Sequence, residues 1–320
     1  MEIMKYSRNS RCPSGLAFVT AFCVALVHVQ DATAAQDNRD GFYIGLQFGV
    51  ADPFVVQSDR TYVSHPTRCD ELLYPPSVSP PVGDPACSDF MPRTASNEFN
   101  PGSGPTGGFM VGYATGRLRF EMEYLNTSLG SDESLVGGST NTVLQTKSSE
   151  WSVEHPPSER IGDYTIHQMF ANVYFDFPNR SRWTPFIGAG MGWAAAEFNY
   201  YLQFIRKPEA EYLQLEFNPD WPEEAKRAAA GTASILDTDP AENIFGYQVL
   251  AGLDYELSER MTLGFTVRRA EFDDIGHEAV YDIVRSHAGV LADGVTPFNN
   301  EMEFSGIGYQ ALTISLKYHF

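Results

Sequence analysis

The chain ends in an unbroken two-residue alternation. Leu312, Ile314, Leu316, Tyr318 and Phe320 share one parity, and Thr313, Ser315, Lys317 and His319 share the other. On a strand, successive side chains point to opposite faces, so one face of this segment is apolar and the other polar. In a water-soluble sheet the apolar face turns toward a core. In an outer-membrane barrel it turns toward lipid, and the polar face lines the interior.

Seven earlier segments repeat the pattern. Phe42 to Val50 sets Phe42, Ile44, Leu46, Phe48 and Val50 against Tyr43, Gly45, Gln47 and Gly49. Gly107 to Ala114 carries Phe109, Val111 and Tyr113 on its apolar face. Arg117 to Leu125 sets Leu118, Phe120, Met122 and Tyr124 against Arg119, Glu121 and Glu123. Ile166 to Phe177 sets Met169, Ala171, Val173 and Phe175 against Asn172, Tyr174 and Asp176. Trp183 to Phe198 opposes Ile187, Ala189, Met191 and Trp193 to a glycine column, Gly188, Gly190 and Gly192. Ile244 to Leu257 and Met261 to Phe272 complete the set, the latter with Leu263, Phe265 and Val267 opposite Thr262, Thr266 and Arg268.

The connections alternate in length. Short ones lie at Thr115-Gly116, Pro178 to Ser181 and Ser258 to Arg260. Long ones run from about Ala51 to Thr106, Thr127 to Thr165, Asn199 to Asn243 and Asp273 to Phe304. Short periplasmic turns alternating with long outer loops define an up-and-down, eight-stranded antiparallel transmembrane barrel, all-β and with both ends in the periplasm. A lipocalin-like soluble barrel would have shorter loops at both ends. Aromatic residues near strand ends (Tyr113, Tyr124, Trp183, Phe198, Tyr255, Phe272, Tyr318 and Phe320) fit interfacial girdles.

The amino terminus reads as an export signal. Lys5, Arg8 and Arg11 precede an apolar stretch from Gly15 to Val29, and Ala32-Thr33-Ala34 offers an A-x-A exit, so residues 1–34 are expected to be removed and 35–320 to form the barrel domain. Beyond it no apolar run approaches the roughly 20 residues of a spanning helix. A mean hydropathy of -0.25 fits a barrel whose strands are half polar. The net charge of -19 excludes a nucleic-acid partner and suits lipopolysaccharide phosphates only through divalent cations. Cys12 and Cys23 leave with the signal. Cys69 and Cys87 remain in a proline-rich segment and are expected to form a disulfide, worth about 3 kcal/mol of loop-closure entropy. A redox or metal pair there lacks a histidine cluster.

The stretches Gly41 to Gly49, Trp183 to Gly192 and Gly246 to Tyr255, with the terminal Phe320, resemble the small outer-membrane barrels of the opacity-protein and OmpA-like type. The resemblance implies a surface protein of a Gram-negative outer membrane, in contact with outer-membrane lipid and lipopolysaccharide. It also implies a terminal aromatic signal, Tyr318 and Phe320, read by the barrel-assembly machinery. It implies no single activity, because members differ in their outer loops. No cell-wall-binding domain is expected after the barrel.

The alternation assigns Arg119, Glu121, Glu123, Asp176, Asp254, Glu256, Arg268 and Lys317 to the interior, where they are expected to form ion pairs filling the bore. A narrow, ion-pair-gated channel is the alternative use of the same residues. An enzyme at the outer rim is a third possibility, with Ser64-His65, His155, His167, Glu271, Asp273, Asp274, His277 and Ser286-His287 as the available groups; no G-x-S-x-G elbow occurs. His277, Glu278, Asp282 and His287 have metal-compatible spacing but would need to share one face. Neither a catalytic nor a metal site is assigned, and no cofactor is expected. Within the loops, Asp220 to Gly231 reads as a capped helix with acids leading and bases following. The expected role is envelope structure with loop-mediated interaction or adhesion.

Overall fold

The computed structural model describes residues 40–63, 92–135, 158–214, 222–284, 295, 297 and 299–320. The expected signal segment, Cys69, Cys87, Ser64, His65, His155, Asp220, Ser286 and His287 lie outside them. In chain order the strands are β1 (Gly41–Pro53), β2 (Val56–Val63), β3 (Pro92–Phe99), β4 (Gly104–Thr115), β5 (Leu118–Ser128), β6 (Asp132–Leu135), β7 (Ser158–Asp176) and β8 (Trp183–Ile205). Two short helices follow, α1 (Glu209–Tyr212) and α2 (Glu223–Ala229). The chain ends with β9 (Ala233–Thr238), β10 (Ala241–Ser258), β11 (Met261–Phe272), β12 (Ile275–Val280), β13 (Asn299–Ser305) and β14 (Gly308–His319).

Eight strands form a closed antiparallel cylinder in the order β7-β5-β4-β1-β14-β11-β10-β8, and β8 pairs back onto β7 to shut it. These are the eight segments whose alternation the sequence displays. The first and last strands lie side by side, with Ile44 opposite Tyr318 and Leu46 opposite Leu316. The Phe320 N–H donates to the Phe42 carbonyl at 3.1 Å. The short turns fall at one end and the long connections at the other.

The outer face is apolar all round. Phe48, Val50, Met122, Met169, Met191, Trp193, Val249 and Leu312 are each more than half exposed, while the inward parity is buried. Two of the expected girdle aromatics turn the other way. Phe198 and Phe272 are buried inside, because their parity on β8 and β11 is that of the inward set.

Inward glycines make room for large neighbours. A Cβ at Gly188 would run into the Tyr174 ring, one at Gly112 into Tyr43, and one at Gly252 into Phe186. The glycine column of β8 is therefore a packing device, set against the bulky inward side chains of β7.

The described parts of the long connections carry strands of their own. β2, β3, β12 and β13 form a four-stranded sheet in the order β12-β13-β2-β3. The upper halves of β7 and β8 continue beyond the barrel, flanked by β6 and β9. β8 alone runs 23 residues, about 75 Å at ~3.3 Å per residue. The two leaves face each other across a shared apolar core of Val56, Phe99, Ile161, Phe198, Leu202, Leu236 and Phe304, and build a second cylinder above the first. The expected helix is shorter than its sequence signature: α2 starts after Pro222 without a side-chain cap, and Gly231 beyond it has φ +70°. Its Arg227 bonds Glu223 at 2.6 Å and also reaches Glu209 of α1.

Replacing Gly188 with valine is expected to displace Tyr174 and cost about 1–3 kcal/mol by overpacking. Ala189→Val, on the outward parity next to it, should cost far less. Comparing the unfolding midpoints of the two variants checks this; equal losses would contradict the packing role.

Candidate functional site

The interior of the lower cylinder falls into three layers. Nearest the short turns, Arg119 on β5 bonds Asp176 on β7 at 2.9 Å and Asp254 on β10 at 3.1 Å. Lys317 on β14 reaches Asp254 at 2.9 Å. The Arg119 guanidinium also sits 4.8 Å from the centres of the Tyr174 and Phe186 rings. A cavity of about 10 Å³ beside Asp40, Arg119, Thr262 and His319 has room for about one water.

In the middle layer Glu121 accepts two tyrosine hydroxyls, Tyr43 at 2.8 Å and Tyr174 at 2.9 Å. Above it Arg268 on β11 grips Glu123 on β5 with both terminal nitrogens, at 2.6 and 2.9 Å. Gln47 and Gln248 also donate to Glu123, and Gln47 accepts from Arg268, so four strands converge on one carboxylate. Burying a charge without such partners would be prohibitive.

The third layer is largely apolar, with Thr106, Thr127 and Gln168 as its polar members. Ala51, Ile166, Phe170, Ala194, Ile244, Ala270, Phe272 and Tyr309, from β1, β7, β8, β10, β11 and β14, fill the bore toward the second cylinder. Phe170 and Phe272 meet edge to face with centres 5.9 Å apart. Tyr309 marks the boundary, donating its hydroxyl to Gln168 at 2.8 Å.

Of the residues assigned to the interior, Arg119, Glu121, Glu123, Asp176, Asp254, Arg268 and Lys317 are all buried there. Glu256 is not: it lies beside the register shift that ends the β10–β11 ladder and is only half-buried. The sequence reading did not include the uncharged members, Gln47, Asn172, Gln248, Tyr43 and Tyr174. Their inward parity was visible; their bonding to the charged groups was not.

Among the described residues, the rim candidates do not converge. His167 stands on the outward face of β7, its ring bonded by Tyr124 and Asn126. Glu271 pairs with Arg269 at 2.5 Å and accepts from Tyr247. Asp273 and Asp274 are exposed. His277 points inward on β12 and contacts Thr238 at 2.7 Å, whereas Glu278 points outward, so the four residues with metal-compatible spacing do not share a face. Asp282 instead accepts the Asp237 N–H at 2.8 Å. Among the described residues, no group of three or more acidic, histidine or cysteine side chains is placed to hold a metal.

The family described as outer membrane protein beta-barrel domain matches residues 19–320. The chain belongs to that family. The apolar outer band therefore faces lipid in a Gram-negative outer membrane, the short turns lie in the periplasm and the second cylinder is extracellular. Among solved structures the chain is similar to Neisserial surface protein A at 12% identity, covering 88% of this chain and 98% of that one, with a TM-score of 0.35. It is similar to the outer membrane protein OprG of Pseudomonas aeruginosa at 11% identity, covering 90% and 99%, with a TM-score of 0.40. It is also similar to the outer membrane protease OmpT of Escherichia coli at 10% identity, covering 91% and 99%, with a TM-score of 0.39. Likeness this distant assigns no activity to the chain. No curated protein matches the sequence.

Two outcomes follow from this geometry. Glu123→Gln or Arg268→Met alone, each leaving a buried partner stranded, should cost about 3–5 kcal/mol in a folding titration in lipid. The double variant should recover much of that loss, and strict additivity would contradict the coupling. Leu263→Arg on the lipid face should cost about 2–4 kcal/mol near the midplane; no cost would mean that this face does not meet lipid.

Proposed function

We propose that this is a surface-exposed outer-membrane protein in which a sealed barrel anchors an extracellular cylinder used for interaction or adhesion. The observation behind this reading is the filling of the bore. Eight strands enclose a lumen that side chains can occupy completely, and here ion pairs occupy its lower part while an apolar layer closes the top. The mass of ordered chain beyond the membrane supports the other half of the reading. A tilted strand crosses the bilayer in roughly 9–11 residues, and β7 and β8, at 19 and 23 residues, continue well past that. Connecting segments held on a rigid scaffold are where surface proteins meet their partners.

The ion-pair-gated channel is disfavoured by the same layer, since opening the Arg119 and Arg268 pairs would still leave Phe170, Phe272 and Tyr309 across the path. The carboxy-terminal Tyr318 and Phe320 are proposed to present the aromatic signal to the assembly machinery; Phe320 is the most exposed residue of the terminal strand's face. Purified protein in planar bilayers is expected to give no single-channel steps. Discrete steps from the unaltered protein would overturn the sealed-anchor reading in favour of the channel.

A further inference from the structure

The two cylinders close in different ways. The lower one is a continuous hydrogen-bonded ladder. The upper one consists of two leaves, β12-β13-β2-β3 and β6-β7-β8-β9. Where β9 meets β12, the described backbone is joined at one bridge, Ile235 with Ile283, through N–H donations of 2.9 and 3.2 Å. Side chains add further ties, among them the Asp237 N–H to Asp282 and Thr238 Oγ1 to His277 Nε2. Edges joined this sparsely open at lower free energy than a full ladder.

His277 is the titratable member of the seam. It faces into the cylinder in one row with Met302 on β13 and Arg60 on β2. From β9, Thr238 meets its ring, and the charge of Asp239 just beyond acts on it. From β10, Glu242 accepts the N–H of Gly276, the residue before it. Asp282 lies past the end of β12. Glu278 on its own strand, and Glu301 and Glu303 on β13, point to the outer face. Burial holds the His277 imidazole below its usual pKa of 6.5, and Asp239 opposes that only in part.

We propose that acid parts the two leaves of the extracellular cylinder along the β9–β12 seam, with His277 as the latch. Above pH 6.5 the imidazole is neutral in both the closed and the opened seam, and its contact with Thr238 holds fully. As pH falls through the lowered value of the closed state, the opened seam binds the proton more readily, and closure weakens.

The test is hydrogen exchange of the full chain in bilayers between pH 7.5 and 5, corrected for the intrinsic pH dependence of exchange. Peptides covering β9 and β12 are expected to lose protection through this range while those covering β1 and β14 keep theirs. His277→Gln keeps a hydrogen-bonding group but cannot titrate, and is expected to abolish the pH step. Thr238→Val removes the contact and leaves the histidine, and is expected to lower protection of both strands already at pH 7.5. An unchanged pH step in His277→Gln, or a step of equal size in β1 and β14, would overturn the proposal.

Discussion

Everything in the lower half of this molecule depends on the pairing of β7 with β8. Lipid offers no hydrogen-bonding partner to a backbone N–H or carbonyl, so a sheet can cross a membrane only when it has no free edge. The ladder from Asp176 opposite Phe186 up to Ser158 opposite Gln203, with one register shift between Gly162 and Thr165, removes that edge. Closure also dictates the polarity of the side chains. Once eight strands curl on themselves, one parity of every strand meets acyl chains and the other meets its counterparts across a narrow bore.

That bore explains the choice of interior residues. It is too narrow to be left wet and too polar in its lower part to be left unpaired. Arginine, with its planar array of donors, can bridge carboxylates on different strands, as Arg119 does to Asp176 and Asp254 and Arg268 does to Glu123. Glutamines and tyrosines take up the remaining acceptors. Inward glycines supply the space that these long side chains need. Such a network contributes specificity of register more than net stability, because the desolvation of each charge offsets much of its pairing energy. Toward the outside the filling changes to packed aromatic and aliphatic side chains, which continue without interruption into the core of the upper cylinder.

The lower cylinder was almost wholly legible in the amino-acid sequence, because lipid on one side and polar filling on the other force a strict alternation such as that of Leu312 to Phe320. The upper cylinder was hardly legible. Its strands face water outside and a mixed core inside, so β2 buries Ser58 and Arg60 and β3 buries Asn97, and the two-residue signal disappears. Glu301 to Phe304 did alternate, but with its polar residues outward, the reverse of the barrel strands. Phe198 and Phe272 were misplaced because an aromatic near a strand end looks the same whether it reaches for the interface or the core. The ion-pairing residues could be named from parity alone, while which acid each base would choose depended on stagger between strands that no single segment records. His277 and Glu278, adjacent in sequence, were separated by the same parity rule that placed the interior charges.

The central claim is a closed barrel with its apolar parity turned to lipid. Electrophoretic mobility of the protein from the outer-membrane fraction, unboiled against boiled in sodium dodecyl sulfate, tests it most directly. A closed ladder resists the detergent until heated, so the unboiled protein should migrate as a distinct, compact species that boiling abolishes. Identical mobility in both states, with the protein recovered in the soluble periplasmic fraction, would contradict the account and turn the apolar faces inward.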